Sequence, residues 1–149
     1  VLPGQSFLLR IVFAVGFLGF LLAIGFIYVV RQPLLAYHDR HLIVRLEFGE
    51  PDRVPIELVE CFLLGQGPSW LPGKKYAKTQ TVTLVIRLAE RAVDWSHRFT
   101  HPMLGSWCDG YITIRGTWCE PLSLEVVNRL NRRLDEAHRA AAPVEKVAG

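Results

Sequence analysis

The sequence predicts an α+β protein in which a single transmembrane helix precedes a small antiparallel β-sheet domain with a C-terminal helix. Three observations predict it. Residues 11–30 hold 17 apolar residues and three glycines with no charge. Short alternating apolar runs, broken by Gly and Pro, fill residues 42–118. A helical apolar stripe follows Pro121.

The uncharged run comes first. Twenty residues at about 1.5 Å each span roughly 30 Å, the thickness of a bilayer's hydrocarbon core. Arg10 and Arg31 flank the run and can snorkel to the interfaces. Tyr28 and Tyr37 lie near its far end, where amphipathic rings are enriched, and Pro33 stops the helix. A signal peptide has a core of about 7–15 residues and a small-residue cleavage site. This run is longer and residues 29–33 offer no such site, so an uncleaved anchor is expected. Arg31, Arg40 and Arg45 after the span outweigh Arg10 before it, which predicts a cytoplasmic C-terminal domain. Three cysteines and no Asn-x-Ser/Thr acceptor fit a reducing compartment.

The span is two-faced. Val12, Gly16, Gly19 and Ala23 fall within about 60° of one another at 100° per residue. Phe13, Phe17 and Phe20 lie on a different face. Small residues let a second helix approach closely, which makes the first set a helix-packing face. No His, Asp, Glu or Lys lies inside the span, so it brings no usual haem ligand and no proton-relay group.

The expected organisation is an N-terminal flank to residue 10, the span over 11–30, a juxtamembrane connector over 31–41, a domain over 42–142 and a flexible tail over 143–149. His38-Asp39-Arg40-His41 reads as a solvated part of that connector. Residues 42–48 alternate as a strand, and 49–52 turn. Residues 54–64 read as a second strand with Pro55 at its start, and 65–73 as a loop. Residues 79–95 fit both periods. Their Thr/Val/Ile-rich first half favours strand, while Leu88-Ala89-Glu90-Arg91-Ala92 favours helix. Strand is preferred. Residues 110–118 form the clearest strand, with Ile112, Ile114 and Trp118 on one face. Pro121 opens a helix with the stripe Val126, Leu130, Leu134, Ala137 and Ala141, and with Arg129, Arg132 and Arg133 on a polar face.

Catalytic chemistry is not expected. Ser106-Trp107-Cys108-Asp109-Gly110 is echoed by Thr117-Trp118-Cys119-Glu120-Pro121. An extended strand between the two cysteines holds them over 30 Å apart, beyond the roughly 7 Å a disulfide tolerates. Pairing of Cys61 with Cys108 or Cys119 stays open. His97-x-x-x-His101 with Cys108 and Cys119 is the one four-ligand zinc set available, but it lacks the paired C-x-x-C spacing and Pro102 interrupts any helix there. Neither a metal nor a cofactor is expected. Glu57 and Glu60 lie in an apolar stretch where one of them would be buried. The segment 67–74 resembles a phosphate loop only in part: Pro68 stands where the first glycine belongs, and Lys75 where Ser or Thr belongs. No Gly-x-Ser-x-Gly, His-Glu-x-x-His or dinucleotide fingerprint occurs.

Trp70, Lys74, Lys75, Tyr76 and Lys78 combine aromatics with cations, as in a loop resting on anionic lipid or on a partner. Beyond the span, in residues 31–149, 16 Lys and Arg face 14 Asp and Glu, too balanced for nucleic-acid binding. The expected partners are other integral membrane subunits and the lipid bilayer, with no small-molecule substrate. The first functional expectation is a non-catalytic accessory subunit of a larger membrane complex, with respiratory and photosynthetic complexes as typical settings. A stand-alone membrane-anchored lipid- or protein-binding sensor is the second, and a metal- or thiol-redox protein the third.

The composition agrees. Half of the 149 residues are apolar or aromatic, and 21% are charged, against about 25% in an ordinary soluble domain. With the span removed, 58 of the remaining 129 residues are apolar, which is unremarkable for a small globular domain.

Overall fold

A computed structural model describes residues 3–68 and 80–142. It divides the chain into two compact units, one up to Gln32 and one from Pro33 onward. The first unit is helix α1, Pro3–Val30. It begins well before the uncharged run, taking in the residues read as an N-terminal flank. Pro3 suits a first helical position, where its missing N–H goes unneeded. The last turn closes with Arg31 N–H donating to the Ile27 carbonyl.

Among the described residues, the second unit has seven strands in two antiparallel sheets. Strands β1 (Leu35–His38), β2 (His41–Val44) and β3 (Asp52–Pro55) form the first sheet, in that order. Strands β4 (Val59–Pro68), β5 (Gln80–Leu88), β6 (Gly105–Cys108) and β7 (Tyr111–Arg115) form the second, in the order β4-β5-β7-β6. Helix α2, Leu124–Ala141, follows.

Residues 31–41, read as a connector, instead hold β1 and a tight turn. Leu35 pairs with Val44 and His38 with His41, which leaves Asp39-Arg40 as a two-residue loop. Their φ values of 48° and 63° mark a turn whose twist matches that of paired strands. Glycine usually takes the second place. Arg40 tolerates it because its guanidinium donates to Glu57 Oε1 at 2.8 Å and to the Ala141 carbonyl at 2.9 Å. That carbonyl is one of the acceptors a helix end leaves without an internal partner.

The apolar stretch 54–64 is two strands, not one. β3 ends at Pro55, Ile56–Leu58 makes a 3-10 turn, and β4 starts at Val59 in the other sheet. Val54, Ile56 and Val59 are all buried, because both strands and the corner between them line one core. No polar break therefore marks the corner in the sequence. Gly65–Pro68, read as loop, continue β4. A Cβ on Gly65 would meet Thr83 Oγ1 at 2.8 Å, so this glycine serves a close cross-strand approach and not a turn.

The preference for strand over 79–95 holds for β5 only. After Leu88 the chain turns and makes a 3-10 segment at Val93–Trp95, with no α-helix. The clearest expected strand, 110–118, shortens to β7 and passes into a 3-10 turn at Gly116–Trp118. Its buried pair is as expected, with Ile112 and Ile114 both fully buried. Asp109-Gly110, with φ of 52° and 75°, turns β6 into β7.

Register explains the core. Phe62, Ile86, Ile112 and Trp107 lie in one row across the second sheet, and Leu64, Leu84, Ile114 and Gly105 in the next. Phe62, Ile86, Ile112, Trp107, Leu84 and Ile114 join Leu42, Val44 and Val54 of the first sheet and Val127 and Leu134 of α2 in one cluster, while Leu64, towards the far end of β4, stays exposed. Gly105 is obligatory, because any Cβ there would collide with the Thr113 carbonyl. The cap of α2 is Ser123, whose hydroxyl accepts from Val126 N–H at 3.3 Å; Pro121 lies two residues earlier. Val127 takes the buried place expected of Val126.

Asn131 lies in the middle of this apolar face. Its Oδ1 accepts from Phe62 N–H at 2.8 Å and its Nδ2 donates to the Phe62 carbonyl at 2.9 Å. β4 is an edge strand, and one side-chain amide thus replaces the strand that would otherwise pair there. Asn131→Ala should lower stability by about 1–3 kcal/mol, the cost of leaving polar groups unsatisfied, read as a reduced urea midpoint by tryptophan fluorescence. Gly105→Ala should cost more than Asn131→Ala in the same assay, because backbone must move.

Candidate membrane anchor and docking surfaces

Within α1, Phe7–Tyr28 is long and apolar enough to cross a membrane, at 22 residues with a mean hydropathy of 2.5 over its most apolar stretch. At about 1.5 Å per residue it reaches roughly 33 Å. A Cβ built on Gly16, Gly19 or Gly25 meets nothing within 4 Å. Gly16 floors a shallow apolar groove walled by Val12, Phe13, Phe17 and Phe20. The groove lies where the expected small-residue face meets the phenylalanine face, taking Val12 and Gly16 from the first and Phe13, Phe17 and Phe20 from the second. Such a groove admits a ridge of large side chains from a second helix, held by packing contacts.

The histidines and cysteines do not converge. Among the described residues, no three His, Cys, Asp or Glu side chains are placed to hold a metal ion. The chain around His97 is not helical, so the i, i+4 spacing to His101 does not stack the rings. His97 is exposed, while His101 accepts from Met103 N–H at Nδ1 and sets its ring edge-on to Phe48. Cys119 Sγ donates to the Arg115 carbonyl at 3.5 Å. The three thiols are free. Cys61 and Cys108 lie in one row on the outward face of the second sheet, separated by Arg87 and Tyr111. Three interstrand steps keep them about 14 Å apart, too far to bridge. Cys119 lies beyond the end of β7.

Two arginines matter more than the sequence suggested. Arg40 reaches the end of α2, as above. Arg115 is half-buried; its Nε donates to the Pro102 carbonyl at 2.7 Å and its Nη1 to the Pro68 carbonyl at 2.8 Å. It ties the end of β4 to the loop before β6. Burial draws its pKa below the ordinary arginine value. Neither role is legible beforehand, since an outward arginine on a strand usually means a solvated one. Glu57 and Glu60 are not buried: their side chains are about half exposed, paired with Arg40 and Arg87. An open groove beside the last turn of α2 is lined by Arg40, Glu57, Arg91 and His138. Each already bonds within the fold: Arg91 to the Glu57 carbonyl, His138 to the Ile56 carbonyl.

Trp70, Lys74, Lys75, Tyr76 and Lys78 lie outside the described residues, as does the tail from residue 143. Compared with family models, with curated proteins and with solved structures, the chain matches none.

Thiol reactivity should follow burial. Cys108 is exposed and Cys61 and Cys119 are half-buried, and burial pushes the Cys119 thiol above its ordinary range. Iodoacetamide labelling followed by peptide mass analysis should modify Cys108 first and Cys119 last. Because the folded state favours the neutral Cys119 thiol, its labelling should accelerate only above the pH at which an ordinary thiol ionises.

Proposed function

We propose that the chain is a non-catalytic, single-pass accessory subunit of a larger membrane complex. The membrane helix docks against other integral subunits through Val12, Gly16, Gly19 and Ala23, and the domain from Pro33 onward braces a partner at the membrane surface. The observation that carries this reading is the set of small residues Gly16, Gly19 and Ala23 along one face of α1, Pro3–Val30. Close approach of a second helix backbone is what such a face favours. The span offers no His, Asp, Glu or Lys for transport and the sequence no catalytic motif, which leaves docking as the use of the helix. The domain is assigned to the cytoplasmic side from the excess of Arg31, Arg40 and Arg45 over Arg10.

Purification in mild detergent with native mass measurement should give a stoichiometric assembly larger than the chain, and a lone monomer or dimer would sink the proposal. Gly16→Leu with Gly19→Leu should release the chain from that assembly while leaving it in the membrane fraction. Retention of the doubly substituted chain would rule out the glycine face as the contact.

A further inference from the structure

Phe48 and Phe99 are each 76% exposed, while Phe62 is buried. They sit on separate loops, 45–51 between β2 and β3, and 96–104 leading into β6. The fold stitches these loops together. His101 N–H donates to the Leu46 carbonyl at 2.6 Å, and Phe48 meets the His101 ring edge-on with centroids 5.2 Å apart. Arg98 Nε lies 4.0 Å from Asp52 Oδ1, at the start of β3. Both aromatics therefore occupy one end of the first sheet.

The chain enters the domain at that same end. Arg45 N–H donates to the Leu34 carbonyl at 2.9 Å, and Leu35 pairs with Val44. The Asp39-Arg40 turn is at the opposite end. Three residues, Arg31, Gln32 and Pro33, separate Val30 from Leu34, a reach of about 14 Å even when fully extended. An apolar pair beside such a short tether to a membrane-crossing helix has lipid within reach. A water-facing pair of phenylalanines costs free energy that interfacial burial recovers.

We infer that this end of the domain rests in the interfacial layer of the bilayer that α1 crosses, with Phe48 and Phe99 entering the headgroup–acyl boundary. The inference rests on the reading of α1 as a membrane span. Charge around the pair is nearly balanced, with Arg45, Arg53 and Arg98 against Glu47, Glu50 and Asp52. Apolar burial, and not attraction to anionic headgroups, therefore drives the contact, and zwitterionic lipid suffices.

The test uses the full chain in phosphatidylcholine vesicles, with Cys61→Ser, Cys108→Ser and Cys119→Ala as background. Single spin labels at Phe48→Cys, Phe99→Cys, Leu22→Cys and Asp39→Cys are compared for relaxation by oxygen and by a water-soluble nickel chelate. Labels at 22, 48 and 99 should favour oxygen, and the label at 39 should favour nickel severalfold. Replacing part of the lipid by phosphatidylglycerol should leave the pattern unchanged. Labels at 48 and 99 as open to nickel as that at 39, with 22 in lipid, would overturn the inference and leave the anchor standing. A label at 22 open to nickel would overturn both. Shielding of 48 and 99 from both reagents would mean contact between protein copies and would also overturn it, as would immersion of only one of the two. The unaltered chain gives a second readout: a diazirine-bearing phosphatidylcholine should label peptides covering 45–53 and 96–104 and spare 36–41, and the reverse pattern counts against the inference.

Discussion

The domain depends on one corner. Between Pro55 and Val59 the chain leaves the first sheet and enters the second, and the backbone groups exposed by that change are met from three directions. Ile56 N–H donates to the Arg40 carbonyl in the first hairpin. The Ile56 carbonyl accepts from His138 on α2. The Leu58 carbonyl accepts from Ala89 N–H, and the Glu57 carbonyl from Arg91, both just past β5. Buried peptide groups must find partners, so a corner inside the core is stable only if hairpin, helix and strand exit arrive together. The two sheets and α2 are held in register by that requirement.

This explains why parts of the fold were legible and others were not. The apolar helix α1 and α2 declare themselves by composition and period, and β2, β5 and the Ile112–Ile114 pair by alternation. The corner is silent because Val54, Ile56 and Val59 are apolar for one shared reason. Gly65 and Gly67 look like loop residues, yet they accommodate Thr83 from the neighbouring strand. Asp109-Gly110 is a strong hairpin signal. It goes unnoticed when Gly110 is taken as the start of a strand and the Ser106–Gly110 echo of Thr117–Pro121 as a pair of strand ends. The first copy is a strand and its turn, and the second lies in a 3-10 turn and the segment after it.

Site residues carry less pattern in a sequence than elements do. The small-residue face of α1 follows from angle alone. The histidine and cysteine set came from residue type, and type says nothing about which ends of a sheet meet. Cys61 and Cys108 share a row but at opposite edges. Conversely, Asn131, Arg40 and Arg115 carry no motif. Each is a polar side chain whose value lies in backbone groups far away in sequence, and spacing cannot reveal such a partner.

The bond from Arg40 to the Ala141 carbonyl joins residues 101 apart in sequence. A ribosome makes the chain from its amino end, so α1 emerges before the sheets and α2 after them. The edge of β4 stays unsealed until Asn131 arrives, and non-local closure of this kind is slow relative to local pairing. During synthesis the two sheets can therefore form while the edge of β4 is still open. Closure order is thus written into the topology: sheets first, and the seal at the end.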